Sequence, residues 1–187
     1  MTYGELPLEL FQTTLSRIAT HLDRKGSFVD LGSGVGRLTI AASLLAPPGV
    51  FTGSKGVEII QDLHETAMDA QARAFSLLPH YALPISFHQG DAFDPNNGLL
   101  TDASALYCYS TTWECDEDLV MRSLSESLAT AMQNGSIVAM TDRKLAHPFV
   151  LVDSITGSNP EKGGPTATST VNVYRLSKAY DSFTAFQ

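Results

Sequence analysis

The chain has 187 residues, of which 43% are hydrophobic and 17% charged, and its formal net charge is −8. This composition is that of a folded protein with one ordinary core, and it excludes a disordered chain. The acidic balance also disfavours non-specific binding to nucleic acid, so we expect no direct nucleic-acid partner. The sequence shows neither a signal-peptide pattern nor an apolar run long enough to span a membrane. We therefore expect an intracellular protein, most simply a cytoplasmic one, although a nuclear location also fits.

Predicted strands and helices alternate along most of the chain. Apolar residues at helical spacing predict a first helix over Leu8–Leu22, which Pro7 begins. The last two strands have no helix between them, which predicts a hairpin and hence one antiparallel strand in an otherwise parallel sheet. The predicted strands are Ser27–Leu31, Val50–Thr52 continued irregularly through Gly53–Lys55 to Gly56–Val57, Ile85–His88, Ala103–Tyr109, Ser136–Thr141, Phe149–Ile155 and Ser169–Leu176; the later helices are Gly36–Ala46, Ile60–Leu78 and Glu117–Met132.

This order predicts an α/β fold, in which a doubly wound, seven-stranded, mostly parallel sheet ends in an antiparallel last strand and carries helices on both faces. A glycine turn within Phe28–Arg37 joins the first strand to the next helix. Such a turn brings a ligand close to the main chain at the carboxyl end of the strand. The dinucleotide fingerprint needs a third glycine where Arg37 stands, and no phosphate-binding Gly-Lys-Ser/Thr follows. The turn therefore predicts a different nucleotide cofactor.

Three carboxylates are predicted to end up at one crevice, because each lies near the carboxyl end of a neighbouring strand. They are Asp30, Glu58 and Asp91. S-adenosylmethionine carries an ammonium, a sulfonium, ribose hydroxyls and an adenine amine but no phosphate, so carboxylates suit it. Glu58 is expected to bind the ribose, Asp91 the adenine amine, and the turn amides with Arg37 the carboxylate end. Each acidic residue alone fits a helix cap or a turn equally well; the three together favour the cofactor.

Three short segments resemble methyltransferase motifs. Val29–Gly36 resembles motif I of class I methyltransferases, and Gly56–Glu58 and Gly90–Asp91 resemble the next two motifs. With Tyr3–Glu5 ahead of the first helix, residues 2–142 are similar to the Dot1-like group, the non-SET protein-lysine methyltransferases. The resemblance implies a Rossmann-like core over residues 26–187, preceded by a lid segment and helix over residues 1–25, in a single domain. It implies these cofactor-binding residues: Tyr3, Glu5, Asp30, Gly32, Ser33, Gly34, Gly36, Glu58, Asp91, Ala92 and Phe93.

The loop after the fourth strand is expected to face the transferred methyl group. Tyr109, Ser110 and Trp113 are the predicted catalytic residues, with the two aromatic faces holding a cationic amine; the alternative for Trp113 is a core or lid residue. The Dot1 proteins carry asparagine in this segment, whereas Tyr109–Trp113 contains none, and Ala92 replaces their phenylalanine. No basic tail is seen in the sequence either, so nucleosome methylation is not carried over. No metal site is predicted.

The sequence thus predicts an enzyme that transfers a methyl group from S-adenosylmethionine, leaving S-adenosylhomocysteine. A lysine amine of a protein is the favoured acceptor. The alternatives are a small-molecule O- or N-methyltransferase and a cofactor-binding protein without catalysis. A protein or small-molecule acceptor is therefore the expected partner, no membrane partner is expected, and the oligomeric state is not predicted.

Overall fold

The computed structural model describes residues 6–77, 83–94 and 98–178, and one sheet of seven strands runs through them. The strands are β1 Gly26–Leu31, β2 Phe51–Glu58, β3 Ile85–Gln89, β4 Ala103–Cys108, β5 Ile137–Thr141, β6 Phe149–Ser158 and β7 Thr168–Leu176. The helices are α1 Leu8–His21, α2 Arg37–Leu45, α3 Gln61–Leu77 and α4 Arg122–Ala131, with short 3-10 turns at Gly98–Leu100 and Pro160–Lys162. None of the described helices is long and apolar enough to cross a bilayer.

The strand order confirms the predicted fold class. Across the sheet the order is β3-β2-β1-β4-β5-β7-β6. Neighbouring strands from β3 to β5 pair in parallel, whereas β7 pairs antiparallel with both β5 and β6. The chain reverses its direction of winding between β1 and β4, and the carboxyl ends of these strands form the crevice where such sheets bind ligands.

Helices cover both faces of the sheet, as predicted. One core contains α1 and α2 and includes the edge-to-face contacts of Phe11 with Phe28 and Tyr107, whose ring centroids lie 6.1 and 5.3 Å apart. The opposite core packs α4 through Leu124 and Leu128 against the other face. Because side chains alternate along a strand, β1 contributes to both cores.

Two element boundaries differ from the prediction by three residues or more. α4 begins at Arg122 rather than at Glu117, because the Asp116 carboxylate accepts hydrogen bonds from the amides of Asp118 and Val120 and from Arg122 Nε. That arrangement holds residues 116–120 in a turn. β6 extends to Ser158 because its ladder with β7 continues that far.

The irregularity predicted in the second strand is present near its start. β2 is continuous, but its pairing with β1 shifts, since Gly26 and Phe28 lie opposite Phe51 and Ser54. Three steps along β2 therefore match two along β1, which places an extra residue in β2 between Phe51 and Ser54.

Gly36 allows α2 to approach the sheet closely. Its φ is +83°, and a Cβ built there lies 2.4 Å from Cζ of Phe87 on β3 and 3.0 Å from Cβ of Ala67 on α3. Both the left-handed backbone and the contact exclude a side chain. Gly36 thus provides the close packing for which the dinucleotide fingerprint uses a glycine one residue later.

Gly36→Ala is expected to lower the free energy of unfolding by about 2–4 kcal/mol, through backbone strain and overpacking. Gly135 is a matched control, because its φ is also +83° and a Cβ there has nothing within 4 Å. Gly135→Ala should cost only the backbone strain, about 1–2 kcal/mol. Urea unfolding of both variants measures the difference; equal losses would show that contact with Phe87 is unimportant.

Candidate active site

The glycine turn after β1 is held by the end of β2. Gly32 and Ser33 donate their amides to the carbonyl oxygen of Val57 at 2.8 and 3.0 Å. Gly34 donates to Glu58 Oε2 at 2.9 Å, and Gly36 donates to the Ser33 carbonyl at 2.9 Å. The amides expected to bind the carboxylate end of a cofactor are therefore engaged within the protein. They are not free as expected, because β2 satisfies the donors of Gly32, Ser33 and Gly34, and the turn itself satisfies that of Gly36.

Arg37 also lies elsewhere than expected. It lines a separate cavity of about 720 Å³, together with the start of α1 and the end of β6.

Glu58 is a buried carboxylate that joins the glycine turn to the start of α3. Besides the Gly34 amide on Oε2, it accepts the Ile60 amide on Oε1 at 2.9 Å, just before α3 begins. Its residue exposure is 6%. Each carboxylate oxygen can accept more than one hydrogen bond, so capacity remains for a ligand hydroxyl. The helix-capping and ligand-binding interpretations are thus compatible at this residue.

A cavity of about 720 Å³ opens at the carboxyl ends of β1, β2, β3 and β4. This volume is in the range of cofactor sites. Seven of the predicted site residues line it: Gly32, Glu58, Asp91, Ala92, Phe93, Tyr109 and Trp113. The lining residues that the prediction missed include Ile60 just before α3, Asp62 in the first turn of α3 and Glu114 in the loop after β4.

An aromatic pair closes one side of this cavity. The rings of Phe93 and Trp113 lie 5.3 Å apart at 37°. A Cβ on Gly32, whose φ is +72°, would lie 2.9 Å from Cζ2 of Trp113. The indole therefore lies directly against the glycine turn, and a larger residue at position 32 would displace it.

Asp91 orients this aromatic pair. Its Oδ1 accepts the Phe93 amide at 2.9 Å, which forms an Asx turn after β3. The carboxylate is exposed and lines the cavity, so its second oxygen is placed to accept from a ligand amine.

Other predicted site residues lie behind the cavity wall. Asp30 is buried and accepts from the Thr39 hydroxyl at 2.9 Å, which ties β1 to the first turn of α2. Ser110 is fully buried and donates to the Thr141 carbonyl at 3.0 Å. The Ser33 hydroxyl is buried without a hydrogen-bond partner among the described protein groups. Gly34 and Gly36 shape the turn without lining the cavity. Tyr3 and Glu5 fall outside the described residues.

Two titratable groups on β4 are excluded as bases. Burial, reinforced by the Asp30 carboxylate, raises the pKa of Tyr107 and of Cys108 well above their usual values. Both groups therefore remain neutral near physiological pH. The described residues contain no group of three or more histidine, cysteine, aspartate or glutamate side chains that could hold a metal ion.

The residues around the cavity fit S-adenosylmethionine. Among the described lining residues, Glu58, Asp62, Asp91 and Glu114 carry carboxylates and none carries a cationic group. A ligand with an ammonium, a sulfonium and several hydroxyl or amine donors matches this set, whereas a pyrophosphate would meet only repulsion. Ile59, Leu63 and Phe93 add apolar surface of the kind an adenine ring requires.

Cofactor binding should change the fluorescence of Trp113, because its indole lies in the cavity wall and it is the single tryptophan of the chain. We expect a saturable change on titration with S-adenosylmethionine and none with NAD. Trp113→Phe should abolish the signal while calorimetry still detects binding. Calorimetric binding to the unaltered protein without any change in emission would contradict the assignment.

Two substitutions at Asp91 separate turn formation from ligand binding. Asp91→Asn keeps an oxygen for the Phe93 amide but presents NH2 to a ligand amine, whereas Asp91→Ala loses both bonds. If the carboxylate accepts from the adenine amine, both variants should raise the dissociation constant of S-adenosylmethionine about 10-fold. An unchanged constant in Asp91→Asn would restrict Asp91 to the turn.

The chain resembles known methyltransferases both in sequence and in fold. A family model described as "Histone methylation protein DOT1" matches residues 1–153. No curated protein matches the chain at the level of sequence. Among solved structures, the rRNA methyltransferase aviRa from Streptomyces viridochromogenes superposes with a TM-score of 0.64 at 18% identity, over 92% of this chain and 86% of that one.

Two further structures contain the cofactor product. A SAM-dependent methyltransferase from Thiobacillus denitrificans in complex with S-adenosyl-L-homocysteine has a TM-score of 0.57 at 15% identity, over 96% of this chain and 94% of that one. TrmK from M. capricolum, also in complex with S-adenosyl-homocysteine, has a TM-score of 0.56 at 10% identity, over 92% of this chain and 71% of that one. These likenesses agree with the fold and with the chemistry of the cavity. The chain belongs to the DOT1 family, and it is an S-adenosylmethionine-dependent methyltransferase.

Proposed function

We propose that this methyltransferase modifies the side-chain amine of a lysine in a protein. The observation that carries the proposal is the charge of the cavity, where four described lining residues are acidic and none is basic. A cationic acceptor is attracted to such a site, whereas the phosphates of a nucleic acid are repelled by it. The family description, which refers to histone methylation, supports the same class of acceptor.

The loop after β4 suits a lysine side chain. Tyr109 and Trp113 offer aromatic surface to the cavity, and Thr112 and Glu114 add polar groups beside them. An ammonium over aromatic faces gains about 0.5–2 kcal/mol, depending on how far it is desolvated. Glu114 is exposed, so it is placed to attract the cation before the aromatic surface receives it.

The reaction requires alignment more than acid–base chemistry. When bound, S-adenosylmethionine supplies a methyl group on a positively charged sulfur. The lysine ammonium would first lose one proton to solvent. The freed nitrogen lone pair would then form the N–C bond as the C–S bond breaks, giving a methylated ammonium and S-adenosylhomocysteine. The protein contributes by holding the two reactants in line, which lowers such barriers by about 7–11 kcal/mol.

The residues divide between two tasks. Glu58 and Asp91 bind the hydroxyl and amine donors of the cofactor, with Ala92 and Phe93 beside the adenine. Tyr109 and Trp113 contact the acceptor. Ser110 takes no part in the chemistry under this proposal, because its hydroxyl is committed to the Thr141 carbonyl; it fixes the loop that carries Tyr109.

A small-molecule amine or alcohol is the alternative acceptor, and labelled cofactor distinguishes the two. The purified enzyme is incubated with methyl-labelled S-adenosylmethionine and, in separate reactions, core histones, total RNA and a low-molecular-weight cell extract. We expect label in protein that is recovered as methyl-lysine after acid hydrolysis. Label confined to RNA or to the small-molecule fraction would overturn the proposal.

Matched variants identify the part played by charge. Glu114→Gln should raise the KM for the protein acceptor about 2- to 5-fold at low salt, with the cofactor affinity unchanged, because an exposed charge pair is weak and is screened by salt. Thr156→Ala on β6 serves as the control, because Thr156 is exposed, lies outside this cavity and pairs its hydroxyl with that of Thr170 on β7. An unchanged KM in Glu114→Gln would show that this carboxylate does not recruit the acceptor.

A further inference from the structure

A chain of polar side chains connects the β6–β7 hairpin with the acceptor side of the cavity. Asp142 Oδ2 accepts from the Lys162 ammonium at 2.8 Å and from the Ser169 hydroxyl at 2.9 Å. Asn159 Nδ2 donates to Ser169 Oγ at 2.9 Å and to the Tyr109 hydroxyl oxygen at 3.3 Å. Asn159 is fully buried, and Tyr109 lines the cavity. This series of hydrogen-bonded side chains therefore ends at Tyr109, a residue of the proposed acceptor site.

Asp142, directly after β5, is held in place by hydrogen bonds to the backbone of β7. Its φ is +56°, a conformation that aspartate tolerates better than most residues. Its amide donates to the Thr170 carbonyl and its Oδ1 accepts the Thr170 amide, each at 2.8 Å. The carboxylate thus has a fixed position from which the direction of the other hydrogen bonds follows.

The direction of these bonds is determined by counting protons. A carboxylate paired with an ammonium accepts hydrogen bonds, so the single proton of Ser169 points to Asp142. The Ser169 oxygen must then receive a proton from Asn159, which places the amide NH2 and not the carbonyl oxygen on that side. The same NH2 carries the second proton, which it donates to Tyr109. The phenol oxygen of Tyr109 is therefore an acceptor toward Asn159, and its own proton is directed elsewhere.

Asn159 directs both protons of its amide NH2 into this network. Its Oδ1 is buried and has no hydrogen-bond partner among the described protein groups. The position of this side chain is therefore set by the two bonds that its NH2 donates.

The same loop is held at the two following residues. Ser110 donates to the Thr141 carbonyl at 3.0 Å, and Arg143 Nη2 donates to the Thr111 carbonyl. Arg143 also donates from Nη1 to the Asp142 carbonyl at 3.0 Å. Three consecutive residues, 109–111, are thus fixed by the end of β5 and by the hairpin, and Asn159 supplies the only one of these contacts that reaches a cavity-lining side chain.

We infer that Asn159 is a positioning residue for methyl transfer, which acts through Tyr109. Anchored by Ser169 and Asp142, it holds the phenol oxygen as an acceptor and leaves the phenolic proton available to an oxygen of the bound acceptor substrate, such as a peptide carbonyl. The inference deepens the proposed function, because it assigns Tyr109 to recognition of the acceptor rather than of the cofactor.

A double-mutant cycle tests this coupling. Tyr109→Phe, Asn159→Ala and their combination are prepared, together with Ser169→Ala, which removes the anchor, and Thr156→Ala as the control from the same hairpin. The equilibrium constant of urea unfolding is measured for each variant, as are kcat and KM on core histones. The dissociation constant of S-adenosylmethionine is measured by calorimetry for each variant.

Asn159→Ala and Ser169→Ala should each lower kcat about 10- to 100-fold, as expected when a reacting group is misplaced. In the Tyr109→Phe background, Asn159→Ala should lower kcat less than about 2-fold further, because the group through which it acts is gone. The cofactor dissociation constant should change less than about 2-fold throughout, since these residues act on the acceptor. Thr156→Ala should match the unaltered enzyme.

Additive losses of kcat, or a loss explained by cofactor affinity, would overturn the inference. The unfolding measurement tests separately whether Asn159 and Tyr109 are hydrogen-bonded. Coupling between the two substitutions should change the unfolding constant about 2- to 10-fold, and no coupling would show that the bond is absent. If the unaltered enzyme labels RNA or small molecules but no protein, the proposed acceptor is wrong, and the cycle is run on the fraction that it does label, where loss of coupling still overturns the inference.

Discussion

Two consecutive residues at the end of β2 satisfy the backbone donors on which the site depends. The Val57 carbonyl accepts the amides of Gly32 and Ser33, and the Glu58 carboxylate accepts those of Gly34 and Ile60. A turn with three positive φ angles and two helix starts exposes more N–H groups than its own backbone can pair. Because Val57 and Glu58 are adjacent, one strand end fixes the glycine turn, the start of α3 and the floor of the cavity together.

The electrostatics of the cavity follow from the same arrangement. Glu58 is stabilised in the wall by charge-assisted bonds from backbone amides, whereas Asp91 and Glu114 are exposed and solvated. The site can therefore concentrate negative charge without a buried lysine or arginine to neutralise it. The sulfonium and ammonium of the cofactor supply compensating charge, and under the proposed function a cationic acceptor held beside them adds to it.

The fold could be predicted from the sequence because its signals are local: hydrophobic periodicity, proline and glycine boundaries, and the absence of a helix before the last strand. The cavity was predicted where carboxylates follow strand ends, as at Glu58 and Asp91. Asp30 was wrongly expected at the crevice, although strand alternation places it on the same face as Phe28, toward α2. The sequence predicts that the amides of the glycine turn are free to bind a ligand. Their pairing with the Val57 carbonyl depends on a tertiary contact, which no local sequence pattern indicates.

Asn159 gave no signal in the sequence, where it lies in a polar loop 50 residues from Tyr109. Its role emerges only when the hairpin folds back onto β5. The match to the DOT1 family model ends at residue 153, within β6, so Asn159 and Ser169 lie beyond it. The hairpin and the glycine turn thus form two modules on different parts of the chain. Under the proposed division of tasks, substitutions in the hairpin can alter which acceptor is methylated while the residues that bind the cofactor stay the same.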